Sequence, residues 1–138
     1  MLGSSDYPVC GSCGEHFREA LKVEDGWVIC RNCSSKSERK GICPLCEREG
    51  PIELHHVGGW ELSPVMIAVC SNCHAILTAW QRRRRRALGR QGLTEKEMCT
   101  SLLFSGYEDP LKLYHKRFGK NPSTLWEFYV DGRCSVRS

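Results

Sequence analysis

The stretch that decides the fold reads Cys43-Pro44-Leu45-Cys46, then Glu53-Leu54-His55-His56-Val57, then Cys70-Ser71-Asn72-Cys73-His74. Two C-x2-C turns enclose 23 residues, Glu47 to Val69. A tight turn presenting two thiolates supplies half of a tetrahedral zinc site, and two such turns complete it. The same arrangement occurs upstream, where Cys10/Cys13 and Cys30/Cys33 enclose 16 residues, Gly14 to Ile29. Eight of the ten cysteines thus fall into two sets of four: Cys10, Cys13, Cys30 and Cys33, then Cys43, Cys46, Cys70 and Cys73. A thioredoxin-like dithiol goes with a βαβ pattern that is missing here. The first residues lack the basic start and apolar run of a signal peptide, which argues against a disulfide framework. Two structural Zn2+ ions are therefore expected. Cys99 and Cys134 stand outside the scheme, and Cys99 in a helical pattern reads as a small apolar residue.

Inside the second set, His55 and His56 are adjacent in a strand-like run, and His74 directly follows the last cysteine. A zinc clamp would fix a β-hairpin to a helix in a unit too small to do so by packing alone. Two neutral imidazoles from different elements can hold one divalent metal with positions left open. Successive strand residues point to opposite faces, so His55 and His56 should do different jobs. An imidazole that titrates near neutrality suits a general base. Metal and base together suit phosphodiester hydrolysis. His16 and His115 have no ligand spacing around them and read as ordinary surface or core residues.

Residues 43–80 resemble the HNH endonuclease family in its zinc-stapled form. The resemblance is carried by Cys43-Pro44-Leu45-Cys46, Glu53-Leu54-His55-His56-Val57, Gly58-Gly59 and Cys70-Ser71-Asn72-Cys73-His74. It implies a ββα-metal core and one-metal hydrolysis of DNA. By the resemblance, His55 and His74 correspond to ligands of the catalytic metal (Mg2+, Mn2+, Ni2+ or Zn2+), and His56 corresponds to the general base. The Asn that the family places before its second C-x2-C has no counterpart here. Val65 falls at that position, with Ser63 and Glu61 as the nearby polar residues, and Thr78 stands where some members carry a further His.

Outward from this core, residues 1–36 read as a zinc ribbon-like module. Asp25-Gly26 marks a hairpin turn before the β-type run Trp27-Val28-Ile29. Residues 34–41 read as a polar linker. The HNH core spans 42–92, with strands at Ile52–Val57 and Met66–Val69 and a helix from about Asn72 to Arg90. Residues 93–138 read as three short helices. One opens on the capping box Thr94-Glu95-Lys96-Glu97 and runs to about Phe104. A second starts at Asp109-Pro110, and a third starts at Asn121-Pro122 and carries Leu125, Trp126, Phe128 and Tyr129. The fold class expected is a zinc-stabilised α+β protein.

Composition narrows the function. The chain has 138 residues and a formal charge of +4, unevenly spread. Residues 1–79 hold 7 Lys/Arg against 10 Asp/Glu; residues 80–138 hold 13 against 6. Each zinc with four thiolates adds a net −2 to the acidic part. A basic C-terminal half suggests a polyanion partner. Its densest point is Arg82, Arg83, Arg84, Arg85 and Arg86, five helical residues that cover ~500° of arc and cannot share one face. DNA is the partner expected, with some of these arginines on phosphate. The ribbon is expected to grip DNA, orient the core or recruit a protein. No stretch approaches the ~20 apolar residues of a membrane span, so a cytoplasmic protein is expected, in keeping with a phage or mobile-element nuclease. The alternative function is a non-catalytic zinc scaffold that binds nucleic acid or protein.

Overall fold

The computed structural model describes residues 8–57, 65–122 and 129–131. After the first cysteine turn and a 3-10 turn at Arg18–Ala20, β1 (Leu21–Glu24) and β2 (Trp27–Cys30) form an antiparallel hairpin. Asp25 and Gly26 link them with φ of 51° and 80°. This left-handed pair matches the turn to the twist of the flanking strands. β2 delivers Cys30 directly into α1 (Arg31–Ser34).

The second sheet runs in the order β3 (Lys40–Ile42), β4 (Glu49–His56), β5 (Val65–Cys70), β6 (Tyr129–Asp131), with every neighbour antiparallel. β4 and β5 are the central pair, in a register that sets His55 opposite Ile67 and His56 opposite Met66. β5 runs through Cys70 into α2 (Ser71–Gly89), and α3 (Glu95–Phe118) follows. Ala20, Leu45, Val57, Ile67, Val69, Ile76, Leu77, Leu113 and Tyr114 form one buried cluster with the second cysteine set. All three segments of the chain therefore contribute to one core. The result is a small α+β fold with two antiparallel sheets.

Three expectations need correction. The polar stretch 34–41 is not all linker, because Lys40 and Gly41 belong to β3 and pair with Pro51 and Gly50. The helix starts at Thr94 and Asp109 merge into one 24-residue helix with Pro110 inside it. Thr94 does form the capping box with Glu97. Asp109 does not cap, because both its oxygens accept from Arg84, at 2.7 and 2.9 Å. An interior proline costs a helix about 3 kcal/mol. Burial of Leu102 before it and of Leu113 and Tyr114 after it outweighs that cost. Tyr129 lies in β6, not in a helix, because the open edge of β5 takes it up. Leu125, Trp126 and Phe128 lie outside the described residues, as do Gly58, Gly59, Glu61, Ser63 and Cys134.

Candidate functional site

The two expected cysteine sets are assembled. In each, the four Sγ atoms lie within 4.8 Å of one another. Cys43, Cys46, Cys70 and Cys73 are all buried; in the first set Cys10 and Cys30 are buried, and Cys13 and Cys33 are exposed. Backbone N–H groups aim at the sulfurs: Ser12 at Cys10 (3.4 Å), Leu45 at Cys43 (3.3 Å), Cys33 at Cys30 (3.4 Å) and Cys73 at Cys70 (3.4 Å). Such bonds favour thiolate over thiol. Burial opposes the ionisation of Cys10, yet backbone N–H groups around its sulfur bring its pKa down to about 6. Four converging thiolates are the donor set that tetrahedral zinc takes. Each group can hold one structural metal ion such as zinc.

The two sets are also copies of one design. Gly14 N–H donates to Cys10 O and Cys10 N–H to Glu15 O, at 2.9 Å each. In the second set Glu47 N–H donates to Cys43 O (2.7 Å) and Cys43 N–H to Arg48 O (3.1 Å). Gly14 and Glu47 occupy the same left-handed backbone position, with φ of 84° and 60°. Each second turn reads C-x-N-C and opens a helix capped by its own first cysteine. The two asparagines then meet. Asn32 N–H donates to Asn72 Oδ1 (2.8 Å), and Asn72 N–H donates to Asn32 Oδ1 (2.9 Å). The equivalent residues Glu15 and Arg48 form an ion pair at 3.1 Å.

Glu15 is the hub of this junction. Its carboxylate, wholly buried, accepts from Arg48, Arg117 (2.9 Å), Asn72 Nδ2 (3.1 Å) and the N–H groups of His16 and Phe17 (3.0 Å each). Burial alone would raise its pKa; the Arg117 guanidinium, the Phe17 N–H and Arg48 together hold it below the usual carboxylate range. Arg117 also reaches Cys73 Sγ at 3.6 Å and stacks over Phe17 at 4.7 Å. Positive charge thus lies against the thiolate-rich centres. Spacing arithmetic misses this junction, although the repeated C-x-N-C is a visible signal.

The candidate catalytic residues sit where β4 meets the first turn of α2. Glu53 and His55 share one strand face by the period of two. His55 is 2% exposed. Its ring and that of His74 lie edge to face, with centroids 5.4 Å apart. Burial first, then the neighbouring His74 and His56, push the pKa of His55 down to about 3. It is therefore a neutral imidazole, the form that binds metal. Glu53 Oε1 bonds His74 Nδ1 at 2.5 Å, and Ser71 Oγ–H donates to Glu53 Oε2. Burial works against the Glu53 carboxylate, but Ser71 and His74 keep it ionised below the usual range. Motif matching alone gives Glu53 no role; its i, i+2 relation to His55 is the signal that could have found one. Among the described residues, only the two cysteine sets bring three or more metal-donor atoms within 4.8 Å of one another. Glu53, His55 and His74 make a looser group.

His56 lies on the opposite strand face and is half-buried. The strand end that carries both histidines is pinned from two helices. Gln81 Nε2 donates to His56 O (3.1 Å) and to Val57 O (2.7 Å). From the other side α3 presents Gly106, where a Cβ would fall 1.9 Å from Val57 O, so only glycine allows this approach. Val65, at the position of the missing Asn, opens β5 and accepts from Val57 N–H at 3.0 Å.

Glu53, Ser71, His74, Thr78 and Arg82 line a cavity of about 440 Å³. The arginine run divides, as its arc requires. Arg83 pairs with Glu19, and Arg84 pairs with the buried Asp109; Arg85 and Arg86 are exposed. Arg84 is committed inside the protein and stands apart from the expected DNA-contacting set. His16 and His115 are exposed and Cys99 is half-buried. Among the described residues no helix is long and apolar enough to cross a membrane. Comparison with protein-family models, curated proteins and solved structures finds no match to this chain.

Proposed function

We propose that the protein is a metal-dependent DNA endonuclease of the HNH type. The observation that carries this reading is the meeting of Glu53, His55 and His74 at one strand–helix junction, beside a cavity that Arg82 helps line. His55, held neutral, and His74 would hold one divalent ion, with Glu53 orienting the His74 ring through Nδ1. When bound, the ion supplies charge stabilisation for the phosphate and the leaving 3′ oxygen. His56 takes the proton of the attacking water. It projects from the strand face opposite His55, so it would reach that water round the end of β4, where Gln81 and Gly106 hold the backbone. The cysteine centres hold this geometry and take no part in the chemistry.

The test is conversion of supercoiled plasmid in Mg2+, Mn2+ or Ni2+, comparing wild type with His56→Ala. Nicking by wild type, lost in His56→Ala with both zinc ions retained, is expected. A wild-type protein that carries two zinc ions, binds DNA and cuts with none of these metals would overturn the nuclease reading. It would leave a zinc scaffold that binds DNA.

A further inference from the structure

The cavity beside His74 is not built by the HNH segment alone. Lys22 on β1, with Arg31, Ser34 and Ser35 from α1 and its end, lines it together with Ser71, His74, Thr78 and Arg82. The first cysteine unit therefore supplies five of the twelve lining residues. The internal repeat explains how it is held there. Arg31 precedes Asn32 as Ser71 precedes Asn72, and the reciprocal Asn32–Asn72 bonds fix α1 against the start of α2. Arg31 is the counterpart of Ser71 and lines the same cavity.

The charges there are unequal in their commitments. Both carboxylates of the lining are already used. Glu19 accepts from Trp80 Nε1 and from Arg83, and Glu53 accepts from Ser71 and is bonded to His74. Among the described residues, Arg31 and Arg82 form no ion pair within 4.0 Å, and both are exposed; the Arg31 charge acts on Glu53 only from longer range. Among the described residues Lys22 pairs only with Glu24, at the surface and 3.1 Å away. Exposed pairs of this kind are weak and yield readily to a stronger anion. Three cations, four hydroxyls and two engaged carboxylates make a cavity for an anion whose charge is spread over oxygens.

We propose that the first zinc unit forms one wall of the DNA cleft, with Arg31 and Lys22 binding backbone phosphates across from Arg82. The inference rests on the nuclease reading for the identity of the polyanion. It gives the N-terminal unit a positioning role: it seats the strand beside His74, with no part in bond cleavage.

The test uses the full chain loaded with two zinc ions and no other divalent metal. Binding to a short labelled DNA duplex is followed by fluorescence anisotropy over a series of salt concentrations. Arg31→Gln and Lys22→Gln are each expected to weaken binding about three- to tenfold and to lower the log–log salt slope by about 0.9, one phosphate contact each. Arg31→Lys should restore the slope, and Lys120→Gln, at the end of α3, should match wild type. Wild-type slopes for both Arg31→Gln and Lys22→Gln, beside a lowered slope for Arg82→Gln, would overturn the proposal and leave α2 gripping alone. If Arg31→Gln loses zinc, Lys22→Gln decides the matter by the same slope. Plasmid nicking separates the two readings. Weaker binding by these variants of a protein that never nicks defeats the nuclease and keeps the cleft. Unchanged binding by variants of a protein that does nick defeats the cleft alone.

Discussion

The two four-cysteine units share a cysteine turn, a hairpin and a C-x-N-C helix start, but they differ in three respects. The first closes 16 residues between its turns and the second 23. The first ends in a four-residue helix and the second in one of 19 residues. The first leaves Cys13 and Cys33 exposed, while the second buries all four ligands. The longer unit has a strand long enough to carry Glu53, His55 and His56, and a helix long enough to hold that strand's end through Gln81. The shorter unit kept the clamp and lacks those residues. One design thus supports two elements of very different length.

The sharpest way to break this comparison is to remove one ligand from each copy. Cys70→Ser is expected to abolish cooperative unfolding and zinc retention in the second unit, because its centre lies in the shared core. Calorimetry and zinc analysis would check it. Cys33→Ser should empty the first centre and leave a weakened fold that still melts cooperatively. Chelator treatment of wild type should accordingly release zinc in two phases. The faster phase would come from the half-exposed first set, as read by a colorimetric zinc indicator.

Next in size is the junction. Glu15→Gln leaves Arg117 buried without a carboxylate and should cost about 3 to 5 kcal/mol. For a chain of this length that is a fall in Tm on the order of 10 °C. The asparagine pair should respond unequally despite its symmetry. Asn32→Ala removes one reciprocal bond and leaves Asn72 N–H unsatisfied, for about 1 to 2 kcal/mol. Asn72→Ala also removes a donor to Glu15 and should cost more. Equal losses would mean that the Glu15 contact adds nothing.

The smallest effect is expected at Glu19, which joins the first unit to α2. Burial opposes its ionisation, but Arg83, its backbone and Trp80 hold its pKa below the usual carboxylate value. Its contribution is therefore present above the unfolded value of about 4.3 and is lost as pH falls through the lower folded value. Glu19→Gln should remove that part of the acid dependence and cost about 1 kcal/mol or less. Urea titrations at neutral pH and at pH values below the unfolded value would measure it.

Much of this was legible in the sequence because cysteine spacing, strand alternation and turn chemistry are local. Both four-cysteine sets, the Asp25-Gly26 hairpin, β4, β5 and the start of α2 follow from residues close together in the chain. The division of Arg82 to Arg86 also follows, since helix geometry forbids one shared face. What failed depended on distant partners. Asp109-Pro110 carries a helix-start signal, but Arg84 takes the carboxylate and the core on both sides of Pro110 keeps the helix whole. Tyr129 fits a helical pattern until the free edge of β5 is known. Glu15 looks like any surface acid, and only the fold brings Arg48, Asn72 and Arg117 to it.

The Arg117–Glu15 pair joins residues 102 positions apart. During synthesis at about 5–20 residues per second, the first cysteine turn is made on the order of 5–20 s before its guanidinium partner exists. Until then the Glu15 carboxylate is without that partner. The last turn of α3 then completes a junction whose other half was made long before it.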